Sequence, residues 1–272
     1  MAEKLLLLTF CVEQDFFVPV RAGMDEAAKR MGALCEMRGV EGLDNARQIE
    51  MLLRAAEGEY DGIAVNIPCM EGFDRALRAV SARVPVVGFN DDVRGAGDSR
   101  MAHVSQKLYQ AGVTLGQRAA GAIPVGSEIL ITLHSNDTAA LFARRDGMLH
   151  ALSERHVTAH ELVTTTDPAL SADMIEAALK KNPNIRAVLA TGQADTQGAG
   201  LAKSRMGIDA YVCGFDLSDE IRRMIAMKII DFTIEQQPYA QGFYPVVMLV
   251  NYLRHGLIPT DIDAGAIVVG SS

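Results

Sequence analysis

The chain has 272 residues, of which 49% are hydrophobic and 22% charged, a composition that excludes disorder and low complexity. Its 34 acidic and 26 basic residues give a net charge of −8, the wrong sign for a surface that binds nucleic acid or an anionic membrane. The longest apolar run, residues 5–10, is far shorter than the roughly 20 residues of a membrane-spanning helix. The length is typical of two modest α/β domains or of a single large one.

The first half of the chain alternates between short apolar runs and amphipathic segments. The runs predict strands at residues 5–12, 34–37, 63–67 and 84–89. The helical spacing of apolar residues from Val20 to Met31 predicts a first helix that ends at Gly32. Further helices are predicted around residues 49–56, 73–80 and 104–122.

The same alternation restarts after the turn at residues 121–126. Strands are predicted at 128–133, 161–165, 187–191, 210–215, 229–234 and 266–269, and helices at 139–153, 169–181, 195–206, 219–227 and around 243–253. Strand–helix alternation indicates parallel sheets covered by helices on both faces. About ten strands are enough for one large sheet, but the restart favours two similar α/β lobes, each a doubly wound parallel sheet.

Four cysteines lie far apart in the sequence, at Cys11, Cys35, Cys69 and Cys213. They form no Cys-x-x-Cys motif, so the sequence predicts neither a metal site nor a disulfide framework. We interpret them as small buried side chains on or beside strands.

Polar and aromatic residues follow six of the predicted strands. They lie at 13–17, 90–92, 134–137, 191–193, 216 and 235–239, with Arg144 and Arg145 in the helix after residue 139. Ligands of open parallel sheets bind beyond the carboxyl ends of the strands. Carboxylate, amide and guanidinium groups suit a polyhydroxylated ligand, because each hydroxyl both donates and accepts hydrogen bonds. Adjacent aromatic residues in a loop are rarely both buried, so we expect Phe16 or Phe17 to cover the apolar face of a sugar ring.

Five motifs, in this order, resemble the ribose-type periplasmic sugar-binding proteins, the solute-binding components of bacterial ABC importers. They are Asp-Phe-Phe at 15–17, Gly-Phe-Asn-Asp at 88–91, Ala-Arg-Arg-Asp-Gly-Met at 143–148, Val-Cys-Gly-Phe-Asp at 212–216 and the run at 234–243. The resemblance implies the type I periplasmic binding protein fold, in which two doubly wound lobes are joined by three hinge crossings. It places an N-terminal lobe at 1–105 and 238–262, and a C-terminal lobe at 106–237 and 263–272.

The same resemblance implies which residues bind the ligand. From the first lobe they are Gln14, Phe16, Phe17, Asn90 and Asp91, and from the second lobe or the hinge they are Arg144, Gly192 or Gln193, Asp216 and Gln236. Glu13 and His134 are further candidates because each follows the first strand of its half. Asn90-Asp91 stands where the ribose binders have Asp-Arg, and Thr166-Asp167 stands where they have an aromatic residue. The more acidic site favours a different sugar, a sugar alcohol or an amine-bearing sugar over ribose.

These observations predict a protein that binds a small neutral sugar or sugar alcohol between its lobes and delivers it to the membrane permease of an ABC importer. We expect a periplasmic monomer, with its signal peptide removed, that has no catalytic residues, cofactor, metal or nucleic-acid partner. One alternative is the effector-binding core of a lactose-repressor-type transcription regulator, which the acidic charge and the early first strand disfavour. Another is an enzyme such as a sugar isomerase, although the chain lacks the nucleophile-elbow, phosphate-loop and zinc-protease motifs.

Overall fold

The computed structural model describes residues 2–91, 93–95 and 98–271. They divide into two compact units, Met1–Gln106 with Gln237–Ala264, and Lys107–Gln236 with Gly265–Ser272. The chain therefore passes from one unit to the other three times, after residues 106, 236 and 264. The lobe ends expected from the resemblance, at 105, 237 and 262, lie within two residues of these positions.

Strands and helices alternate along almost the whole described chain. The strands are β1 (Lys4–Thr9), β2 (Leu34–Gly39), β3 (Gly62–Val65), β4 (Val86–Asn90), β5 (His103–Ser105), β6 (Glu128–Leu133), β7 (Thr158–Val163), β8 (Ile185–Ala190), β9 (Tyr211–Phe215), β10 (Phe232–Glu235), β11 (Ile262–Asp263) and β12 (Ile267–Gly270). The α-helices are α1 (Phe17–Met31), α2 (Asn45–Ala55), α3 (Phe73–Ser81), α4 (Leu108–Ala120), α5 (Ala139–Leu152), α6 (Pro168–Lys181), α7 (Gln193–Met206), α8 (Asp219–Ala226) and α9 (Pro238–His255).

The first unit is a six-stranded parallel sheet with the order β11-β5-β4-β3-β1-β2. Successive side chains of a strand point to opposite faces, and β1 shows the consequence. Leu5 and Leu7 share a core with side chains of α1 and α9, whereas Leu6 and Leu8 share a second core with α2 and α3. A strand that is apolar on both faces therefore lies in the middle of three layers.

The second unit repeats this arrangement with the order β12-β10-β9-β8-β6-β7. Ile129 and Ile131 of β6 pack in a core with α4 and α5, and Leu130 packs in a core with α6, α7 and α8. The last strand, β12, runs antiparallel to β10, and the other pairs are parallel. The prediction of two doubly wound α/β lobes is confirmed, with an antiparallel edge strand that the sequence did not indicate.

Two short strands were missed and one helix was predicted too long. β5 overlaps the start of the segment predicted as a helix from residue 104, and α4 begins only at Leu108. β11 has two residues, and no strand was predicted there. Strands of two or three residues are too short to show the period-2 pattern on which the prediction depends.

All four cysteines carry free thiols. Cys11 and Cys213 are buried and Cys35 and Cys69 are half-buried. Burial raises the pKa of the Cys11 and Cys35 thiols to about 12. These two thiols therefore stay protonated at physiological pH and behave as apolar side chains. Among the described residues, no helix combines the length and apolar character needed to cross a bilayer.

His103 of β5 makes the stability of the first unit depend on pH. It packs against Gly88, where an added Cβ would overlap the imidazole. Burial, with a smaller effect from the positive charges of Arg100 and Arg94, lowers the pKa of His103 from its ordinary value of 6.5 to about 3. A depressed pKa gives stability that is present above pH 6.5 and is lost as the pH falls toward 3.

We therefore expect the wild-type protein to lose about 2 kcal/mol of unfolding free energy relative to the His103→Gln variant between pH 6.5 and pH 5. Urea denaturation at several pH values measures this difference. His255→Gln, at an exposed histidine, is the control and should follow the wild-type pH profile. Parallel profiles for wild type and His103→Gln would contradict the expectation.

Candidate functional site

Each sheet has one position where the strand order reverses direction. In the first unit β1 lies between β2 and β3, and in the second β6 lies between β7 and β8. Loops after the strands on either side of such a position run to opposite faces of the sheet and leave a crevice at the carboxyl edge. We call the carboxyl edge of the first sheet the first rim and that of the second sheet the second rim.

Asn90 and Asp216 occupy corresponding positions on the two rims. Asn90 ends β4 and Asp216 follows β9, and each comes directly after a Gly-Phe pair. Both have left-handed backbone conformations, with φ of 66° for Asn90 and 70° for Asp216. Asn and Asp tolerate this conformation better than other residues with a Cβ. Such conformations concentrate at ligand sites, where the surrounding structure enforces them.

Asp216, Gln236 and Arg144, three of the predicted ligand contacts, come together on the second rim. All three are buried, and Gln236 Nε2 donates a hydrogen bond of 2.6 Å to Asp216 Oδ1. Burial raises the pKa of Asp216, and the positive charge of Arg144 and the Gln236 hydrogen bond oppose that rise. This part of the rim presents a carboxylate, an amide and a guanidinium in water-poor surroundings, where hydrogen bonds to a ligand are strongest.

Arg144 is held rigidly from two sides. Its Nη1 donates to the carbonyl oxygen of Thr191 at 2.9 Å, and its guanidinium carbon lies 4.2 Å from the centre of the Phe215 ring. The neighbouring Arg145 instead forms ion pairs with Asp146 and Glu161, two partly exposed carboxylates. The two adjacent arginines therefore have different environments, and a ligand contact of Arg144 stays a prediction.

His134 also lies on the second rim, hydrogen-bonded to a residue that sequence reasoning missed. Its Nδ1 is 3.2 Å from Oδ1 of Asp195, which is fully buried. Asp195 was interpreted as the first residue of an amphipathic helix, whereas α7 begins two residues earlier at Gln193. Gln193, a predicted ligand contact, is half-buried at the start of that helix.

Asn66 lies on the first rim, directly after β3, and was also missed. It is fully buried, its Nδ2 donates to Thr9 Oγ1 at 3.1 Å, and its Oδ1 accepts from the Asp91 backbone N–H at 3.3 Å. Gln48 Nε2 donates to its backbone carbonyl. The prediction placed Asn66 inside a strand, but β3 ends at Val65, so the polar residue in that apolar run was the available signal. Asp91 is thereby fixed at the rim, and Asp92 lies outside the described residues.

Phe16 and Phe17 are both buried, so the expectation that one of them stays unburied was wrong. Phe17 is the first residue of α1, and both rings belong to the core that includes Leu7. Their ring centroids are 5.2 Å apart in an edge-to-face arrangement, the geometry that aromatic pairs prefer. Both were expected to contact ligand, and that role stays a prediction.

Glu13 and Gln14 precede the aromatic pair and lie nearer the surface. Glu13 is exposed, and its carboxylate accepts from the Gly42 backbone N–H at 3.2 and 3.3 Å. Gln14 is half-buried, and its backbone N–H donates to the Cys11 carbonyl. The Glu13 contact stabilises the loop after β2, which gives this carboxylate a structural partner. Among the described residues, no group of three or more His, Cys, Asp or Glu side chains is placed to hold a metal ion.

Comparisons with known proteins agree with this geometry. Residues 7–257 match the family described as "Periplasmic binding protein domain". The xylose/arabinose-binding protein XylF of Sulfolobus acidocaldarius is 26% identical over 287 aligned positions, which cover 99% of this chain and 71% of that protein.

Solved structures share the fold over nearly the whole chain. The ABC transporter solute-binding protein from Burkholderia graminis, solved in complex with D-arabinose, has a TM-score of 0.92 at 20% identity and covers 99% of this chain and 96% of that one. A carbohydrate transporter from Acidothermus cellulolyticus, in complex with myo-inositol, has a TM-score of 0.86 at 24% identity, with coverage of 99% and 94%.

Proposed function

Because the chain belongs to the periplasmic binding protein domain family, we propose that it binds a small neutral sugar or sugar alcohol and delivers it to an ABC importer without altering it. The ligands named for its relatives are xylose or arabinose, D-arabinose and myo-inositol. All are small, uncharged and polyhydroxylated. The proposal therefore takes the ligand class from the relatives and its physical support from the two rims.

The observation that carries the proposal is the buried cluster of Asp216, Gln236 and Arg144. A buried carboxylate with a raised pKa is unfavourable for folding by itself. Its presence beside a buried guanidinium, at the edge of the sheet where ligands bind, is explained if a polar ligand binds there. Hydroxyl groups suit this role because they donate to Asp216 and accept from Arg144.

We further propose that the first rim contributes ligand contacts through Asn90 and Asp91. Both are buried and polar; Asn90 is the last residue of β4 and Asp91 follows it. Hydrogen bonds of this kind are worth roughly 1–3 kcal/mol each. Several of them offset part or all of the roughly 4–15 kcal/mol that association loses in translational and rotational entropy.

The same family membership supports a location outside the cytoplasm and, as partner, the permease of an ABC importer. We also propose that the protein acts as a monomer and turns over no ligand. The named relatives are sugar-binding and transport proteins, which favours this function over a transcription regulator. Chromatography of each sugar before and after long incubation tests the absence of turnover, and a new product would overturn it.

Calorimetric titration with D-arabinose, D-xylose and myo-inositol tests the function. We expect at least one of them to bind and to raise the melting temperature by mass action. A panel extended to other pentoses, hexoses, polyols and amino sugars then identifies the preferred ligand. Failure of the whole panel to bind or to stabilise the protein would overturn the proposed function.

Arg144 and Arg145 offer a matched pair of variants. We expect Arg144→Lys to weaken binding of the preferred ligand about tenfold, because lysine keeps the charge but loses the planar guanidinium that stacks on Phe215 and donates to Thr191. Arg145→Lys should stay within twofold of wild type. Titration calorimetry measures both, and equal affinities for the two variants would exclude Arg144 as a specific ligand contact.

A further inference from the structure

Asp195 is not one of the predicted ligand contacts, yet it is fully buried on the second rim. Its Oδ2 accepts from Thr132 Oγ1 at 2.9 Å and from the Thr191 backbone N–H at 2.8 Å. Its Oδ1 accepts from the Gly192 backbone N–H at 3.0 Å. The carboxylate therefore joins the end of β6, the end of β8 and the first turn of α7.

These contacts fix the direction of the hydrogen bond to His134. Both oxygens of Asp195 face backbone N–H groups, which only donate, so the carboxylate acts as an acceptor throughout. His134 Nδ1, 3.2 Å from Asp195 Oδ1, must then carry the hydrogen. In a neutral imidazole the other nitrogen, Nε2, is an acceptor. Carboxylate–histidine pairs are known to fix both the tautomer and the orientation of the ring.

The ring is also fixed by packing. A Cβ added at Gly192 would overlap Cε1 of His134, so the imidazole lies directly on the backbone there. The His134 side chain keeps 19% of its surface exposed. It follows β6, the strand beside the crevice of the second unit. An accessible edge of a rigidly held ring therefore lies at the ligand-binding end of the sheet.

We propose that Asp195 is a positioning residue that holds His134 in the Nδ1–H tautomer, and that His134 Nε2 accepts a hydrogen bond from a hydroxyl group of the bound sugar or polyol. This inference rests on the proposed function. It gives the second rim a neutral acceptor in addition to the Asp216 carboxylate. A ligand that replaces the hydroxyl at this position with an ether or carbonyl oxygen is then rejected, because two acceptors face each other.

Two substitutions at residue 134 distinguish the role of Nδ1 from that of Nε2. The amide of His134→Asn reaches only the position of Nδ1, so it keeps a donor to Asp195 and loses the outer acceptor. The amide of His134→Gln reaches the position of Nε2 and supplies an acceptor oxygen there. With whichever of D-arabinose, D-xylose and myo-inositol binds wild type, we expect His134→Asn to weaken binding tenfold or more and His134→Gln to stay within about fivefold.

Nitrogen-15 NMR of the ligand-free protein reads the tautomer directly. We expect Nδ1–H for His134 in wild type and a loss of that preference in Asp195→Asn. A melting temperature of His134→Asn close to wild type would show that its lost affinity is local to the site.

Three results would overturn the inference in distinguishable ways. If His134→Asn binds ligand as tightly as wild type, His134 Nε2 is not a hydrogen-bond acceptor for the ligand. If wild-type His134 carries its hydrogen on Nε2, Asp195 does not hold the ring in the Nδ1–H tautomer. If none of the three ligands binds wild type, the proposed function fails for them and the acceptor role fails with it, while the spectrum still decides the tautomer.

Discussion

Replacing Asp216 with asparagine is expected to weaken binding of the preferred sugar or polyol by 100-fold or more and to leave the fold intact. Asparagine has the same shape and tolerates the φ of 70° at this position. Its amide oxygen still accepts from Gln236. The variant loses the negative charge beside Arg144 and the carboxylate oxygen that we propose accepts hydrogen bonds from ligand hydroxyls. Two charge-assisted hydrogen bonds reduced to neutral ones account for about 3 kcal/mol, or roughly 100-fold in affinity.

Titration calorimetry measures this loss, with Asp219→Asn as the matched control. Asp219 is an exposed carboxylate in the first turn of α8, and its variant should bind like wild type. An affinity of Asp216→Asn within threefold of wild type would remove Asp216 from the site. Circular dichroism confirms that the variant is folded, so that lost binding is assigned to the side chain.

Asp216→Asn, which is expected to weaken binding, should increase stability relative to wild type at neutral pH when no ligand is present. Burial raises the pKa of Asp216 from its ordinary value of 3.8. Stability associated with a raised pKa is fully present below the unfolded-state value and is lost as the pH rises through the folded-state value. We therefore expect the melting temperature of Asp216→Asn to rise relative to that of wild type as the pH increases from about 4 to 7. A carboxylate that lowers stability and raises affinity is typical of a binding site.

The order of elements was predictable because most strands of this chain are apolar on both faces. β1 and α1 illustrate this, since four consecutive leucines predict a central strand and Gly32 ends the helix with a φ of 64°. β5 was not predictable, because its pairing with β4 and β11 depends on tertiary contacts rather than on the pattern of three residues. The sequence therefore predicted elements of four or more residues and missed the shorter ones.

The site was predictable in part, for a similar reason. Asp216 and Gln236 follow apolar strands, so their place on a rim follows from parallel topology. Asp195 instead lies within a helical pattern, where a carboxylate is expected to face solvent. Its burial depends on a hydrogen bond to Thr132, 63 residues earlier in the chain. The residues around Asp195 in the sequence do not indicate a hydrogen-bond partner that lies on another strand.

Close packing of α4 on α5 fixes the position of Arg144. Gly112 of α4 faces the carbonyl oxygen of Arg144, and Gly147 of α5 faces that of Tyr109; an added Cβ at either glycine would overlap the facing oxygen. Backbone oxygens cannot rotate away as side chains do, so the helices must separate. We expect Gly112→Ala to lower the unfolding free energy of the second unit by about 3 kcal/mol. Ligand affinity should also fall tenfold or more, because the separation of the two helices moves Arg144 away from Thr191 and Phe215.

Urea denaturation and calorimetry together test this coupling between packing and binding. Gly121→Ala, at the residue that directly follows α4, is the control. Gly121 has a φ of −67° and the nearest atom to an added Cβ lies 3.6 Å away, so we expect this variant to match wild type in both measurements. Gly242→Ala overlaps the Val20 carbonyl oxygen in the first unit and should destabilise that unit by the same mechanism. Because Gly242 belongs to the first unit and α5 to the second, the folded form of this variant should keep Arg144 in place. A Gly112→Ala protein with wild-type stability, or one that is destabilised but binds like wild type, would show that the helix contact does not position Arg144.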